Sequence, residues 1–392
     1  MQEIVICGGG IAGAAAACIL SNLDYSITLL EKDSREEVGN VKRGETLRSE
    51  VTKVLTEYGL MPYFESQDSI IRMGEVREFF HTEYGKLGNF RYDYLSPEYP
   101  VIHSSHRQMV DALYKWLEKK SNVRVRFKAQ AVEIGDFKDG ERNVTLLQKD
   151  DGSREDVKGN LVVVADGAGS RFRTIFRIPT DHFDYSVGYL MFYLQHPKNM
   201  KWGRFYVGPN GFIGVFPTSG NMVRAAVEVR IEDLRDWLTS SSEEQKRRLV
   251  ARCPILDECS IQDVGVFYHV LKRHVSQYTM DALCLIGDSA HTTHPMQAQG
   301  ISLVFNDIVA LHHTVKKNQG KIFTNDVLKE FEEAARPFNS SVLENNHTLF
   351  RLFQEIGRDK TAFDRSLPIL QKMGFESVQE TAHIESGSRS PC

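Results

Sequence analysis

A glycine-rich turn with the makings of a ligand site stands almost at the start of this chain. Gly8-x-Gly10-x-x-Gly13 stands between a short β-rich run, Glu3 to Cys7, and a helix-favouring run, Ala14 to Leu20. This is the context in which a glycine turn receives the pyrophosphate of a dinucleotide. Gly8 permits the tight turn, Gly10 lets the backbone approach the phosphates, and Gly13 lets helix and strand pack closely. Ile11 and Ala12 open the helix, whose first N–H groups carry partial positive charge. Glu31, followed by Lys32, ends the second apolar strand, Ser26 to Leu30. It falls 18 residues after Gly13, near the spacing of about 20 expected of a carboxylate that accepts from ribose hydroxyls. An acid there argues against a 2′-phosphate, so the turn fits FAD or NAD and does not by itself separate them.

Two later segments carry similar chemistry. The strand-like run Leu161 to Ala165 feeds Asp166-Gly167-Ala168-Gly169-Ser170-Arg171-Phe172-Arg173. A second strand-like run, Leu283 to Ile286, feeds Gly287-Asp288-Ser289-Ala290-His291-Thr292-Thr293-His294-Pro295-Met296-Gln297-Ala298-Gln299-Gly300. Gly167-x-Gly169 could open a second dinucleotide turn, but Phe172 stands where the third glycine belongs. His291 and His294 form an H-x-x-H in a loop without a nearby Cys or acidic cluster, so no metal is expected.

Taken together and in order, the three segments closely resemble the fingerprints of the p-hydroxybenzoate hydroxylase family of FAD-dependent aromatic monooxygenases. In layout and length the chain is most similar to the single-component members that act on phenols, anilines and alkylquinolones. The resemblance covers roughly residues 1 to 350 and implies an α/β fold: a three-layer, Rossmann-like FAD-binding domain, a mixed β-sheet substrate domain and C-terminal helices. It implies that Asp288 accepts from the ribityl chain of FAD. The loop through Pro295 and the helix opening at Gln299-Gly300-Ile301 would present N–H groups to the flavin N1 and C2 carbonyl. A helix N-terminus suits the negative charge that collects there on reduction. Asp166-Gly167 would serve FAD and the nicotinamide cofactor, while Arg107 matches the family's arginine near FAD and Arg43 a ribityl- or pyrophosphate-facing arginine. Two positions depart from the family's usual Gly-Gln-Gly-x-Asn: Ala298 removes backbone freedom and Ser302 replaces an amide.

The implied reaction has NAD(P)H reduce FAD, oxygen add as a C4a-hydroperoxide, and its distal oxygen pass to an electron-rich aromatic substrate. NADH and NADPH are not distinguished, and some relatives take electrons from an external flavin reductase instead. A base or relay is expected; no residue is assigned to it from sequence, with His294, Tyr268 and His269 as the candidates. Flavin halogenases, prenyl-chain reductases and non-catalytic escort proteins share the flavin motifs and form the alternative. Halogenases carry a tryptophan-rich W-x-W-x-I-P segment, whereas Trp116, Trp202 and Trp237 are not so spaced.

These residues need a scaffold to position them, and the chain is long enough to supply one. It has 392 residues, of which 41% are hydrophobic and 26% charged, ordinary for a globular protein that needs no disulfide or metal support. The sequence divides into a discontinuous FAD-binding domain (1–70, 100–178 and 270–325), a substrate sheet domain (71–99 and 179–269) and a C-terminal helical segment (326–392). A helix is predicted from Glu45 to Tyr58, and a second opens at the capping-box spacing Ser105-x-x-Gln108. Val123 to Ile134 and Val144 to Gln148 alternate like antiparallel strands around the turn Lys138-Asp139-Gly140. Short strands follow between 185 and 232, then a helix from Gly300 to Lys316. From Asn325 the chain reads as helical until a frayed tail, Ser386 to Cys392. His312-His313 reads as a solvated helix face, and Phe192, Tyr206, Phe216 and Tyr268 as core residues or a pocket wall.

Basic and acidic residues number 48 and 52, for a net charge of −4, with no basic stripe of the kind that nucleic acid requires. No apolar run nears the roughly 20 residues of a membrane span, and none of the six cysteines forms a C-x-x-C pair. A cytoplasmic protein with reduced thiols is the expectation. The composition is silent on oligomeric state.

Overall fold

The computed structural model describes residues 2–218, 220–359 and 361–378; Cys392 and the tail expected to fray lie outside them. Along the chain run β1 (Glu3–Cys7), α1 (Ile11–Leu20), β2 (Ser26–Leu30), β3 (Gly44–Leu47), α2 (Ser49–Glu57), α3 (Met61–Glu65), β4 (Ile70–Arg72), β5 (Val76–His81), β6 (Gly85–Arg91), β7 (Val101–Ser105) and α4 (His106–Leu117). Next come β8 (Val123–Arg126), β9 (Ala129–Ile134), β10 (Arg142–Gln148), β11 (Arg154–Gly159), β12 (Leu161–Val164), α5 (Arg171–Ile175), β13 (Thr180–Gln195), β14 (Gly203–Val207), β15 (Ile213–Thr218) and β16 (Met222–Arg230). The C-terminal third holds α6 (Leu234–Thr239), α7 (Ser242–Arg252), β17 (Ile261–Val275), β18 (Thr279–Met280), β19 (Leu283–Leu285), β20 (His291–Thr292), α8 (Gly300–Lys317), α9 (Asn325–Arg358), α10 (Thr361–Gln371) and β21 (Phe375–Ser377).

Two large sheets organise these elements. One has six strands in the order β18-β19-β12-β1-β2-β8, with β19, β12, β1, β2 and β8 parallel. Strands β1, β2, β12 and β19 are buried on both faces, which is why they read as nearly continuous apolar runs. Helices α1, α4 and α8 contribute to the same core, in a layered α/β architecture. The other sheet has nine strands, β20-β17-β13-β16-β15-β14-β5-β6-β21, all antiparallel except β14 with β5. One of its faces packs with α6 and α7 around Phe192, Trp237 and Leu249. The other gathers Phe79, Tyr189, Phe205 and Phe353 into a separate core.

Local signals hold where they are strong. The capping box at Ser105 and Gln108 is formed in full, and Asp139 and Gly140 take positive φ in the predicted turn. Cys7, Cys18, Cys253, Cys259 and Cys284 are buried free thiols. Among the described residues no helix is long and apolar enough to cross a membrane.

Four expectations need correction. Glu45 to Leu47 lie in β3, paired antiparallel with β7, so the helix starts only at Ser49; strand pairing overrides the helical spacing there. Val123 to Arg126 pair in parallel with β2 and join the large sheet instead of an antiparallel meander, because the chain turns at Lys128, φ 55°. The C-terminal part is not helical throughout, since β21 pairs with β6; three residues are too few to show a period. His312 is buried, its Nδ1 3.0 Å from the Tyr58 hydroxyl, and only His313 faces solvent. Helix α8 is covered by α1, α2 and α9, which leaves it little free face.

Candidate active site

The glycine turn is built by two glycines and left open at a third. A Cβ on Gly8, whose φ is +109°, would stand 2.4 Å from the Ala165 carbonyl oxygen, and one on Gly13 would stand 1.8 Å from that of Gly8. Both are needed by the packing of strand and helix. A Cβ on Gly10 would meet nothing within 4 Å, so that face is open for something other than protein. Helix α1 starts at Ile11 without a side-chain cap or an acidic residue in its first turn, leaving its N–H groups available. Ile11 is buried, Ala12 half-buried and Lys32 exposed. Glu31 is buried and accepts the N–H groups of Gly9 at 2.7 Å and Asp33 at 2.8 Å. Burial raises its carboxyl above the usual range, and those two hydrogen bonds oppose the rise.

The second and third motifs lie at the same end of the sheet. Parallel pairing sets Cys7 beside Val164 and Val164 beside Leu285, so the turns that follow β1, β12 and β19 emerge side by side. Ligands of open α/β sheets bind at this end. Asp166 Oδ2 accepts the Arg171 N–H at 2.9 Å, while its buried Oδ1 has no hydrogen-bond partner among the described residues. Arg173 ties this turn to the next, donating to the carbonyls of Ala168 at 2.8 Å and Ser289 at 3.0 Å.

Asp288 is exposed, yet desolvation pushes its carboxyl up, against the pull of the Arg43 charge. Arg43 pairs with Glu45 at 2.5 Å, and Glu45 with His106 at 2.8 Å. Although Glu45 is desolvated, these two partners hold its carboxyl down at about 2. Arg107 instead bonds Asp111 at 2.9 Å and the carbonyls of Glu36 and Val38, bracing the segment before β3.

Behind the Gly287-Asp288 turn lies a polar group that sequence reasoning missed. The Asp307 carboxylate takes the Gly287 N–H at 2.8 Å, His291 Nε2 at 2.8 Å and the Asn339 amide at 2.7 Å. Burial alone would lower His291, but Asp307 outweighs it and raises the imidazole above its usual range. The only signal was an acid on an otherwise apolar stretch of α8. Among the described residues no three His, Cys, Asp or Glu side chains are grouped to hold a metal.

The loop from Pro295 to Ser302 is tightly held. Pro295 is exposed, Gln299 and Ile301 are buried, and a Cβ on Gly300 would meet nothing within 4 Å. Ala298 takes left-handed backbone, φ 52° and ψ 36°, which costs a residue with a side chain roughly 1–2 kcal/mol. Helix α8 then opens without a side-chain cap or early acid. Ser302 donates to Glu50 at 2.8 Å.

The three candidate bases are not brought together. His294 is buried among Tyr185, Tyr189 and Phe350, with ring centroids 4.8–5.8 Å away, and neither ring nitrogen has a hydrogen-bond partner among the described residues. Burial, then the charge of His347, pushes it down to about 3, so it stays neutral. His269 is exposed and pairs with Asp184 at 2.9 Å. Tyr268 lies under Arg43, at 5.7 Å, and burial pushes its hydroxyl up to about 12 against the Arg43 charge. On neighbouring strands Phe216 is half-buried and Arg224 buried, the Arg224 guanidinium 5.2 Å over the Phe216 ring and 3.0 Å from Thr46 Oγ1. Burial lowers Arg224 to about 10, opposed by Glu45. Phe192 and Tyr206 belong to the core on the opposite face.

Comparison with known proteins places this geometry among flavoproteins. Residues 1–346 match the family described as FAD binding domain. The chain is 24% identical over 324 residues to 3-demethoxyubiquinol 3-hydroxylase of Escherichia coli (strain K12), covering 79% of this chain and 78% of that one. Its fold is similar to that of pqsL, a probable FAD-dependent monooxygenase from Pseudomonas aeruginosa, with TM-score 0.79, 20% identity, and coverage of 93% of this chain and 99% of that one. The flavin-dependent halogenase CmlS has the same fold at TM-score 0.74 and 15% identity, over 100% of this chain and 71% of the halogenase.

Proposed function

Because the chain belongs to the FAD binding domain family, we propose that it is an FAD-dependent monooxygenase that hydroxylates an aromatic or heteroaromatic small molecule with NAD(P)H and O2. The observation that carries this reading is the alignment of β1, β12 and β19, which sets the glycine turn, Asp166-Gly167 and Gly287-Asp288 along one sheet edge. The residues present fit FAD. The open face at Gly10 and the uncapped start of α1 suit a pyrophosphate, and Glu31 suits the adenosine ribose. The spare oxygen of Asp166 and the accessible carboxylate of Asp288 suit further hydroxyls, with Arg43 balancing the charge. Gly300 and Ile301, at the uncapped start of α8, suit the electron-accepting edge of the ring. Arg107 would act through the 36–38 segment. Bound FAD supplies the redox step between nicotinamide, oxygen and substrate.

The substrate would lie between the large antiparallel sheet and the FAD-binding part, where pockets concentrate. We divide the chain accordingly into the discontinuous FAD-binding and sheet parts named above. Arg224, buried and bonded to Thr46, supplies positive charge over Phe216 and would favour a deprotonated ring hydroxyl. His294, neutral and caged, packs the wall instead of moving protons, and His269 lies outside.

Oxygen uptake by the FAD-loaded protein with NADH or NADPH, screened against phenols, aromatic acids and quinolones, tests the proposal. Substrate-stimulated uptake with a hydroxylated product is expected. Product that requires halide would make the protein a halogenase, and absence of uptake with every donor, an external flavin reductase included, would defeat the monooxygenase reading.

A further inference from the structure

Arg48 is one of the two largest fully buried side chains in the protein, 0% exposed, and the flavin motifs do not include it. It sits at the N-cap of α2, stacked over Tyr92 at 4.8 Å and Tyr94 at 5.0 Å. Its Nη1 donates to both the carbonyl and the side-chain oxygen of Gln297, at 3.0 and 3.1 Å. Among the described residues its Nε and Nη2 find no hydrogen-bond partner, although Glu50 lies 3.4 Å from Nε as an ion pair. Three of its five N–H donors thus stay without a hydrogen bond among the described residues in a buried site, an expensive arrangement. What the arginine does supply is a grip on the peptide directly before Ala298.

That peptide is where the loop needs holding. Ala298 occupies left-handed backbone that glycine adopts freely and alanine does not. The neighbouring ties are lateral: Tyr92 to the Met296 carbonyl at 3.2 Å, Asn346 to Gln299 Oε1 at 3.2 Å, and Ser302 to the same Glu50 that faces Arg48. Arg48 alone bonds both backbone and side chain of the residue entering the strained position.

We propose that Arg48 is a positioning residue that fixes the 295–302 loop in its flavin-receiving shape and thereby replaces the glycine freedom that Ala298 lacks. With Arg48 present the loop is preorganised before FAD arrives. Without it the apoprotein loop relaxes out of the left-handed region, and binding must restore the strain. The inference rests on the reading that this loop faces the flavin.

The test is FAD affinity, measured by fluorescence quenching on apoprotein, for Arg48→Met, Ala298→Gly, the double variant and Ala298→Val. Returning Ala298 to the strained region should cost about tenfold in affinity. Arg48→Met is therefore expected to bind about tenfold more weakly, Ala298→Gly within about twofold of the parent, and the double variant within about threefold. Unchanged affinity in Arg48→Met overturns the proposal, as does a glycine effect of equal size in both backgrounds. If Arg48→Met gives no cooperative melt, Arg48→Lys, which keeps stem and charge but loses the fork, takes its place with the same rescue expected. Ala298→Val separates the two levels. Unchanged FAD affinity in that variant defeats the reading that the loop faces the flavin, and weakening there without weakening in Arg48→Met defeats only the role of Arg48.

Discussion

Glu31 just after β2 accepts the N–H of Gly9 at 2.7 Å, so the acidic residue and the glycine turn form one hydrogen-bonded unit. The carboxylate also holds Asp33, which fixes its direction. Glu31→Ala leaves two N–H groups without their acceptor and should destabilise the apoprotein by about 2 kcal/mol, read from urea midpoints, while also weakening FAD binding. Glu31→Gln keeps one acceptor and should fall between.

The glycines of the turn should separate by function. Gly13→Ala drives a methyl group into the Gly8 carbonyl and should cost the fold several kcal/mol or leave the protein insoluble. Gly10→Ala meets only open space, so its apoprotein should melt like the parent and yet bind FAD at least tenfold more weakly. A Gly10→Ala protein with unaltered FAD affinity would show that no phosphate approaches this backbone.

Asp288→Ala should emerge from purification colourless. His294→Phe, Tyr268→Phe and His269→Ala should keep their flavin, since His294 is caged among aromatic rings, Tyr268 touches the site only through Arg43, and His269 is exposed on β17. The flavin absorbance of each purified protein, set against its protein absorbance, is enough to decide; a fully yellow Asp288→Ala sinks the assignment.

His294 makes stability depend on pH. Its folded value of about 3 lies below the ordinary 6.5, so between those limits the unfolded chain binds the extra proton and stability falls as pH drops. At pH 4.5 this one group should remove roughly 2–3 kcal/mol relative to pH 7.5. His103 and His274, each lowered to about 4 chiefly by burial, act in the same direction. His294→Phe should flatten the difference between urea midpoints at the two pH values, and an unchanged difference would mean that the imidazole is charged in the folded protein.

Much of the fold was legible because its signals are local. The strand, glycine turn and helix at the start, the capping box at Ser105 and Gln108, and the turn at Asp139-Gly140 each depend on a few contiguous residues. Glu45 to Leu47 misled because a short strand next to a helix shares the helix's apolar spacing, and only its partner β7 reveals it. His312 misled because two adjacent histidines look polar until helices cover both sides of α8.

The chemistry of three turns could be read along the chain: which glycines bend, which carboxylates follow, and that a dinucleotide-type ligand suits them. Tertiary structure alone decided which far-apart residues hold those turns in place. Arg48 and Gln297 are 249 positions apart, and Asp307 reaches Gly287 from another element. The physical reason is that turn and cap preferences act through neighbouring peptide units. Buried polar partners are chosen by the order of strands in a sheet, which no local pattern contains.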